Sequence, residues 1–167
     1  MQTEIHVIAS LAVISRLADL LTTYLVSPRL KLEANSLARR FGWWYAWLTV
    51  PIGLIAYVSP GAGIVVMTAS FMVAASNAAK ILMARALGED GMVALSHRIL
   101  LEIPPWPALL FMVLPGVFVA ALAGSLLYFY PSPHQWAYYF GVGMLTYVFA
   151  MFVWYPLQYF RQRAKLR

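Results

Sequence analysis

The chain has 167 residues, 62% hydrophobic and 11% charged, with a net charge of +6. Soluble domains carry about a quarter charged residues, so this balance excludes one and marks an integral membrane protein, whose length leaves room for a single compact bundle, residues 1–167. Having no cysteine excludes disulfides, thiolate metal sites and cysteine nucleophiles. The aromatics lie in apolar runs rather than beside the basic residues, which excludes a nucleic-acid interface and leaves the charge to topology.

The pattern predicts an all-α, polytopic transmembrane bundle of five spans. The first covers residues 6–25; with no basic stretch before it, and with Arg16 and Asp19 inside it, it reads as a retained span rather than a cleaved signal. Pro28 and a basic loop end it, and a second span follows at 41–59. The turn YVSPGAG leads into a third span, 62–85, which GEDG at 88–91 stops, since glycine favours helix ends and the charges favour water. Residues 92–103 are too few to cross. With Met92, Leu95, Ile99 and Ile103 on one stripe and Arg98 and Glu102 paired at i,i+4, they read as a short interfacial helix. A proline cluster ends it, the fourth span covers 106–130, YPSPHQ turns the chain, and the fifth covers 136–160. Pro51, Pro115 and Pro156 should kink the spans that hold them.

Ten of the twelve lysines and arginines fall on one side of this topology: Arg29, Lys31, Arg39 and Arg40 in the first loop, Arg85 and Arg98, and Arg161, Arg163, Lys165 and Arg167 in the tail. The other side has none. The positive-inside rule then places the N-terminus outside and the C-terminus in the cytoplasm of a cell (inner) membrane. Arg29, Lys31, Arg39, Arg40, Arg161 and Arg163 are the expected contacts to anionic lipid headgroups. Trp43, Trp44, Tyr45, Trp47, Tyr128, Tyr130, Tyr155 and Tyr159 stand near span ends, as interfacial aromatics do. Small residues at Gly116, Ala120 and Gly124, and at Ala74 and Ala78, recur every four positions and let helices approach, within the bundle or between copies in a homo-oligomer.

The unusual stretch is Ser15 to Arg40. Arg16, Asp19 and Thr23 share one helix face, with Thr22 beside Asp19, and Asp19 and Arg16 lie about 9 and 13 Å from the cytoplasmic end of the span. Ionisable groups at such depth face a bundle interior or a wet cavity and mark a candidate site. Ser76, Asn77 and Lys80 share a face of the third span at the same level, so Asp19 is within reach of Lys80 or Asn77. One reading is a cytoplasm-facing pocket lined by Asp19, Thr22, Thr23, Asn77 and Lys80, with Arg16 at its base and Glu33 and Asn35 at its mouth. The structural alternative is a self-neutralised Arg16–Asp19 pair, a snorkelling Lys80 and threonines bonded to their own backbone. His97 reads as a headgroup or solvent contact, and His6 and His134, on the outer side, form no plausible metal site. No nucleophile elbow, metalloprotease motif, phosphate-binding glycine loop or paired-metal acidic cluster is present, and no cofactor or metal is implied.

The pattern Asp19-x-x-Thr22-Thr23, followed by Glu33-x-Asn35 and Arg39, resembles small uncharacterised bacterial multi-span membrane proteins in which a span ending D-x-x-x-T leads into an E-x-N-P loop. Ser36 stands where that loop has proline. The resemblance implies that Asp19, Thr23, Glu33 and Asn35 act together. The leading expectation is a protein that binds or translocates a small ionic solute, linked to a cation or proton, between the first and third spans. Two alternatives stand beside it: an enzyme acting on a lipid headgroup at the cytoplasmic surface, with Arg29, Lys31, Arg39 and Arg40 on the phosphate and Glu33 as base, and a structural subunit of a larger membrane complex.

Overall fold

The computed structural model describes residues 2–33 and 36–166. It is helical throughout: α1 (Gln2–Val26), α2 (Ser36–Phe41), α3 (Trp43–Trp47), a 3-10 helix (Val50–Tyr57), α4 (Pro60–Glu102), α5 (Pro105–Phe129) and α6 (Trp136–Leu166). Four of these, α1, α4, α5 and α6, are long and apolar enough to cross a membrane. Leu110, Phe111, Leu114 and Phe118 of α5 lie exposed, a surface suited to lipid rather than water.

The expected helix over residues 41–59 is not formed, for two local reasons. Gly42 takes a positive φ of 74° and separates α2 from α3. Pro51 has no N–H to give, and its ring conflicts with the carbonyl four residues back, that of Trp47, where α3 ends. The chain continues as an eight-residue 3-10 helix. It nevertheless runs antiparallel along the whole of α1. Trp43 meets Tyr24 edge-on, Thr49 meets Arg16, Gly53 meets Val13, and Tyr57 meets His6. On α1 the stretch between His6 and Tyr24 rises about 27 Å. From Trp43 to Tyr57 the chain covers the same rise with four fewer residues, as the longer step of a 3-10 helix, about 2 Å per residue, allows.

That contact is backbone on backbone. A Cβ at Gly53 would lie 2.7 Å from the Val13 amide nitrogen and 2.9 Å from the Ala12 carbonyl carbon. The core of this end of the bundle is dry: Ile8, Ala9, Ala12, Ala56, Ile64 and Met67 are buried together, with Tyr139 and Phe140 of α6 against them. Ser15, fully buried, returns its hydroxyl to the Ala12 carbonyl at 2.7 Å.

At the other end the chain departs from expectation at Gly88. Instead of a solvated stop, α4 breaks sharply and resumes, Gly88 holding φ 69° and ψ 170°, a region essentially open only to glycine. Residues 89–102 then form the short helix anticipated there, with Met92 packed on Val26 and Ala84, and Leu100 on Ala108 and Tyr159. This second half of α4 therefore lies across one end of the bundle. Pro115 and Pro156 stand inside α5 and α6 without ending them. The small-residue stripe of α5 is split: Gly116 is filled by Phe152 of α6, whereas Gly124 opens onto free space. Ala74 is buried while Ala78 is exposed.

Substituting alanine at Gly53 forces two backbones apart and is expected to cost about 1–3 kcal/mol. The same change at Gly124, where nothing stands within 4 Å, is expected to be neutral or to stabilise by up to about 1 kcal/mol. Melting temperatures of the two variants in lipid nanodiscs check the contrast.

Candidate functional site

One turn of α1 assembles the site. Arg16 Nη1 donates to Asp19 Oδ2 at 2.8 Å and to Ser70 Oγ of α4 at 3.4 Å, while its Nη2 donates to Thr49 Oγ1 at 2.5 Å. Thr49 in turn donates to the Ala46 carbonyl at 2.6 Å. On the other side of Asp19, Thr23 donates to Oδ1 at 3.5 Å and accepts from Asn77 Nδ2 at 2.9 Å. A single chain of hydrogen bonds thus runs from α4 through α1 to the segment between α3 and the 3-10 helix. Each bond uses a donor the helices leave free. The Arg16–Asp19 pair is largely buried, with side-chain exposures of 19% and 12%, and Arg16 Nε is buried without a hydrogen-bond partner among the described residues.

These side chains line a cleft of about 540 Å³. Arg16, Asp19, Thr23, Glu33, Asn77 and Lys80, six of the residues nominated from sequence, lie on its wall together. Of the other two nominated residues, one does not join them. Thr22 spends its hydroxyl on the carbonyls of Ala18 and Asp19, at 2.9 and 3.0 Å, as the structural alternative held for it. Asn35 lies outside the described residues. Of the two contacts within reach of Asp19, Lys80 or Asn77, neither is direct: Asp19 is held by Arg16 and Thr23, and Asn77 of α4 reaches it through Thr23. Glu33 lies within electrostatic reach of Asp19, Lys80 and Tyr155. The cleft therefore holds two cationic and two anionic side chains.

Its opposite wall was not read from the sequence. Tyr147, Met151, Trp154 and Tyr155 of α6 face the α1 residues across the cleft, and Tyr45, Ala46 and Thr49 close one side. Tyr45 and Tyr155 were expected at the membrane interface, as was Tyr159, which is buried. Their periodicity on a long apolar helix carried no sign of which residue faces inward. A second cavity of about 330 Å³ adjoins the first and shares Thr23, Leu32, Glu33, Asn77 and Lys80 with it. Met92, Leu95, Ser96 and Ile99 of the helix after Gly88 line its other side. Among the described residues no three His, Asp or Glu side chains converge as metal ligands.

The loop after α1 is held by a residue that the sequence reading left to water. The Glu89 carboxylate accepts from the Arg29 amide at 3.1 Å, from the Lys31 amide at 2.9 Å and from the Ser27 hydroxyl. Between the two amides Leu30 takes a positive φ of 56°, the alternation that turns successive N–H groups toward one anion. Arg29 and Lys31 also pair with Asp90. Of the other residues expected to meet lipid headgroups, Arg39, Arg40 and Arg161 are exposed, Arg40 over the Phe41 ring. Arg163 donates to the Tyr159 hydroxyl at 2.5 Å and to the Ile103 carbonyl at 3.1 Å. Burial alone would raise the Glu89 carboxyl. The Ser27 hydroxyl and the two amides outweigh it and hold that carboxyl below its ordinary value.

No family model matches the chain, and no curated protein or solved structure matches it either.

Removing one member of the buried pair strands the other charge. Asp19→Ala is expected to destabilise by about 3 kcal/mol or more, and the double change Asp19→Leu with Arg16→Met to recover most of that loss. Unfolding in denaturant, in a fixed lipid or detergent background, separates these outcomes. A depressed carboxyl stabilises above its ordinary value, 4.5, and the contribution is lost as pH falls through the lower native value. The stability gap between the native chain and Glu89→Gln should stay constant from neutral pH to about 5 and close in more acid solution.

Proposed function

We propose that the protein is a five-crossing membrane protein whose cleft binds a small cationic solute from the cytoplasmic side, as part of its uptake or release. Residues 43–57 would form the second crossing, between α1 and α4. Three observations support this topology. The 43–57 run follows α1 over about 27 Å, nearly a hydrocarbon thickness. Contacts of the 27–31 loop with Glu89 and Asp90, and of Arg163 with Ile103, gather the basic ends at one end of the bundle. Contacts of His6 with Tyr57 and of Gly61 with Tyr139 gather ends without lysine or arginine at the other. With the basic end in the cytoplasm, the N-terminus lies outside.

The observation that carries the functional reading is the composition of the cleft. Asp19 and Glu33 stand on its wall with Thr23 and Asn77, against the rings of Tyr45, Tyr147, Trp154 and Tyr155. Carboxylates offer a cation a counter-charge, aromatic faces offer it a quadrupole, and hydroxyl and amide oxygens offer it ligands. Arg16 and Lys80 keep the site near neutrality, so a cation that binds as a proton leaves is an exchange rather than a net charging of the membrane interior. The dry core around Ala12, Ala56 and Ile64 closes the cleft toward the other face. The resemblance to small bacterial multi-span proteins also groups Asp19, Thr23 and Glu33, with Asn35.

A second reading, an enzyme acting on a lipid headgroup with Glu33 as base, draws on one observation: Glu33 lines both cavities, including the one walled by Met92, Leu95 and Ile99. The pairing of Arg29 and Lys31 with Asp90 weighs against their serving as its phosphate ligands.

The test is flux into proteoliposomes that hold a pH-sensitive dye, with Na+, K+ and choline offered in turn. One of these cations should drive uptake or proton movement, and Asp19→Asn and Lys80→Gln should each reduce it by about tenfold or more. Unchanged flux in Asp19→Asn removes that residue from the mechanism. Absence of flux together with a stoichiometric co-purified phospholipid favours the second reading.

A further inference from the structure

Glu89 lies outside the cleft and has no part in the cation binding proposed above. Yet it joins two pieces that do form the cleft. On one side is the loop 27–33, which brings Leu30, Leu32 and Glu33 to the wall of the larger cavity. On the other is the helix 89–102, which closes the smaller cavity with Met92, Leu95, Ser96 and Ile99.

The joint is made in one place and with unusual completeness. Both carboxylate oxygens of Glu89 are engaged, Oε2 by the Arg29 amide and Oε1 by the Lys31 amide and the Ser27 hydroxyl, and Ser27 Oγ itself accepts from the Leu32 amide at 3.0 Å. The loop has other ties as well: the turn bonds of the Leu30 amide to the Ser27 carbonyl at 2.9 Å and of the Glu33 amide to the Leu30 carbonyl at 3.3 Å, the packing of Leu32 on Val26, Ala84 and Met92, a Trp43 Nε1 bond to the Pro28 carbonyl at 2.8 Å, and the Asp90 pairs, which lie in the open. Leu30 holds a left-handed conformation that costs a leucine about 1–2 kcal/mol, so the loop keeps this shape only while something holds it. The carboxylate meets that need, since hydrogen bonds to a charged acceptor are the strong ones.

The helix side has a matching feature. Gly88, immediately before Glu89, sits in backbone space reserved for glycine, and no atom stands within 4 Å of where its Cβ would be. No side-chain packing therefore fixes the angle between the two halves of α4 at this residue. The near end of the helix 89–102 is fixed by Glu89, Asp90 and the packing of Met92 on Val26 and Ala84, and its far end by Leu100 against Ala108 and Tyr159.

We propose that Glu89 is the latch of the cleft: seated on the amides of Arg29 and Lys31, it ties the loop that carries Glu33 to the near end of the helix 89–102 and keeps that end closed over the smaller cavity. This makes Glu89 a positioning residue. Its importance for ligand rests on the proposed function, but the latch itself is tested without any ligand.

The chain contains no cysteine, so a single Ser96→Cys reports on the smaller cavity in an otherwise native full-length protein. In nanodiscs, its reaction with a membrane-impermeant maleimide should accelerate about tenfold or more when Glu89→Ala is added. Glu89→Gln, which keeps an acceptor oxygen but loses the charge, should fall between. Equal rates in all three backgrounds overturn the latch. A parallel Ala12→Cys, at a position with no exposure in the dry core, should stay unreactive throughout and shows that the fold is kept. Hydrogen exchange in the unmutated chain tests the same idea with no variant at all. The amides of Arg29 and Lys31 should exchange together, at least about a hundredfold more slowly than free peptide, and exchange at the free-peptide rate overturns the proposal. Accelerated Ser96→Cys labelling together with absent cation flux would leave the latch standing and remove the reading of the cleft; the reverse result would do the opposite.

Discussion

The pairing of Arg16 with Asp19 is the constraint from which the rest of the cleft end of the bundle follows. Two opposite charges one helical turn apart neutralise each other within α1, which lets both sit among helices that are otherwise apolar. Each still has donors or lone pairs left over, and these are what bind the neighbours: Thr49 and Ser70 to the guanidinium, Thr23 and through it Asn77 to the carboxylate. A buried pair of this kind contributes little net stability compared with apolar residues of the same size. Its effect is on specificity, because only one rotation of α1 satisfies all of these partners at once. The same rotation sends Ile8, Ala9 and Ala12 into the dry core at the other end.

Much of this was legible in the sequence, because charge inside an apolar run is a strong signal and the helix period converts spacing into shared faces. Arg16, Asp19, Thr23, Asn77 and Lys80 were placed by that arithmetic, as were the extent of α5, the start of α6, which runs on to Leu166, and a short helix near GEDG, which begins at Glu89 rather than Met92. The arithmetic gave a level and a face but no partner, and so it offered Asp19 either Lys80 or Asn77, where the chain joins Asn77 to Asp19 through Thr23. Thr22 shows the limit from the other side: it stands at the right level, one position round the helix, and turns to its own backbone.

What was hidden has local causes. Residues 41–59 looked like one helix because their hydropathy is continuous, and hydropathy does not register that Gly42 and Pro51 divide them. Glu89 and Asp90 looked like residues that require water because they are charged and follow glycine. Asp90 does stay in the open, but Glu89 is held chiefly by two backbone amides, which every residue carries and no motif displays. The aromatic wall of α6 was invisible for the opposite reason: on a helix rich in Tyr, Phe and Trp, composition cannot pick out the ring that faces a cavity from those that face lipid.

The segment 43–57 has a consequence for what can line the empty space. With glycine at its point of contact, the 3-10 helix lies against α1 and packs on α1 and α4. The cleft opens beyond the start of that helix, where Tyr45 and Ala46 of α3 and Thr49 stand opposite Tyr147 and Tyr155 of α6. The hollow thus borders the short α-helix and the joint after it, so the Thr49 hydroxyl meets Arg16 there while the apolar rod that follows contributes nothing to the wall.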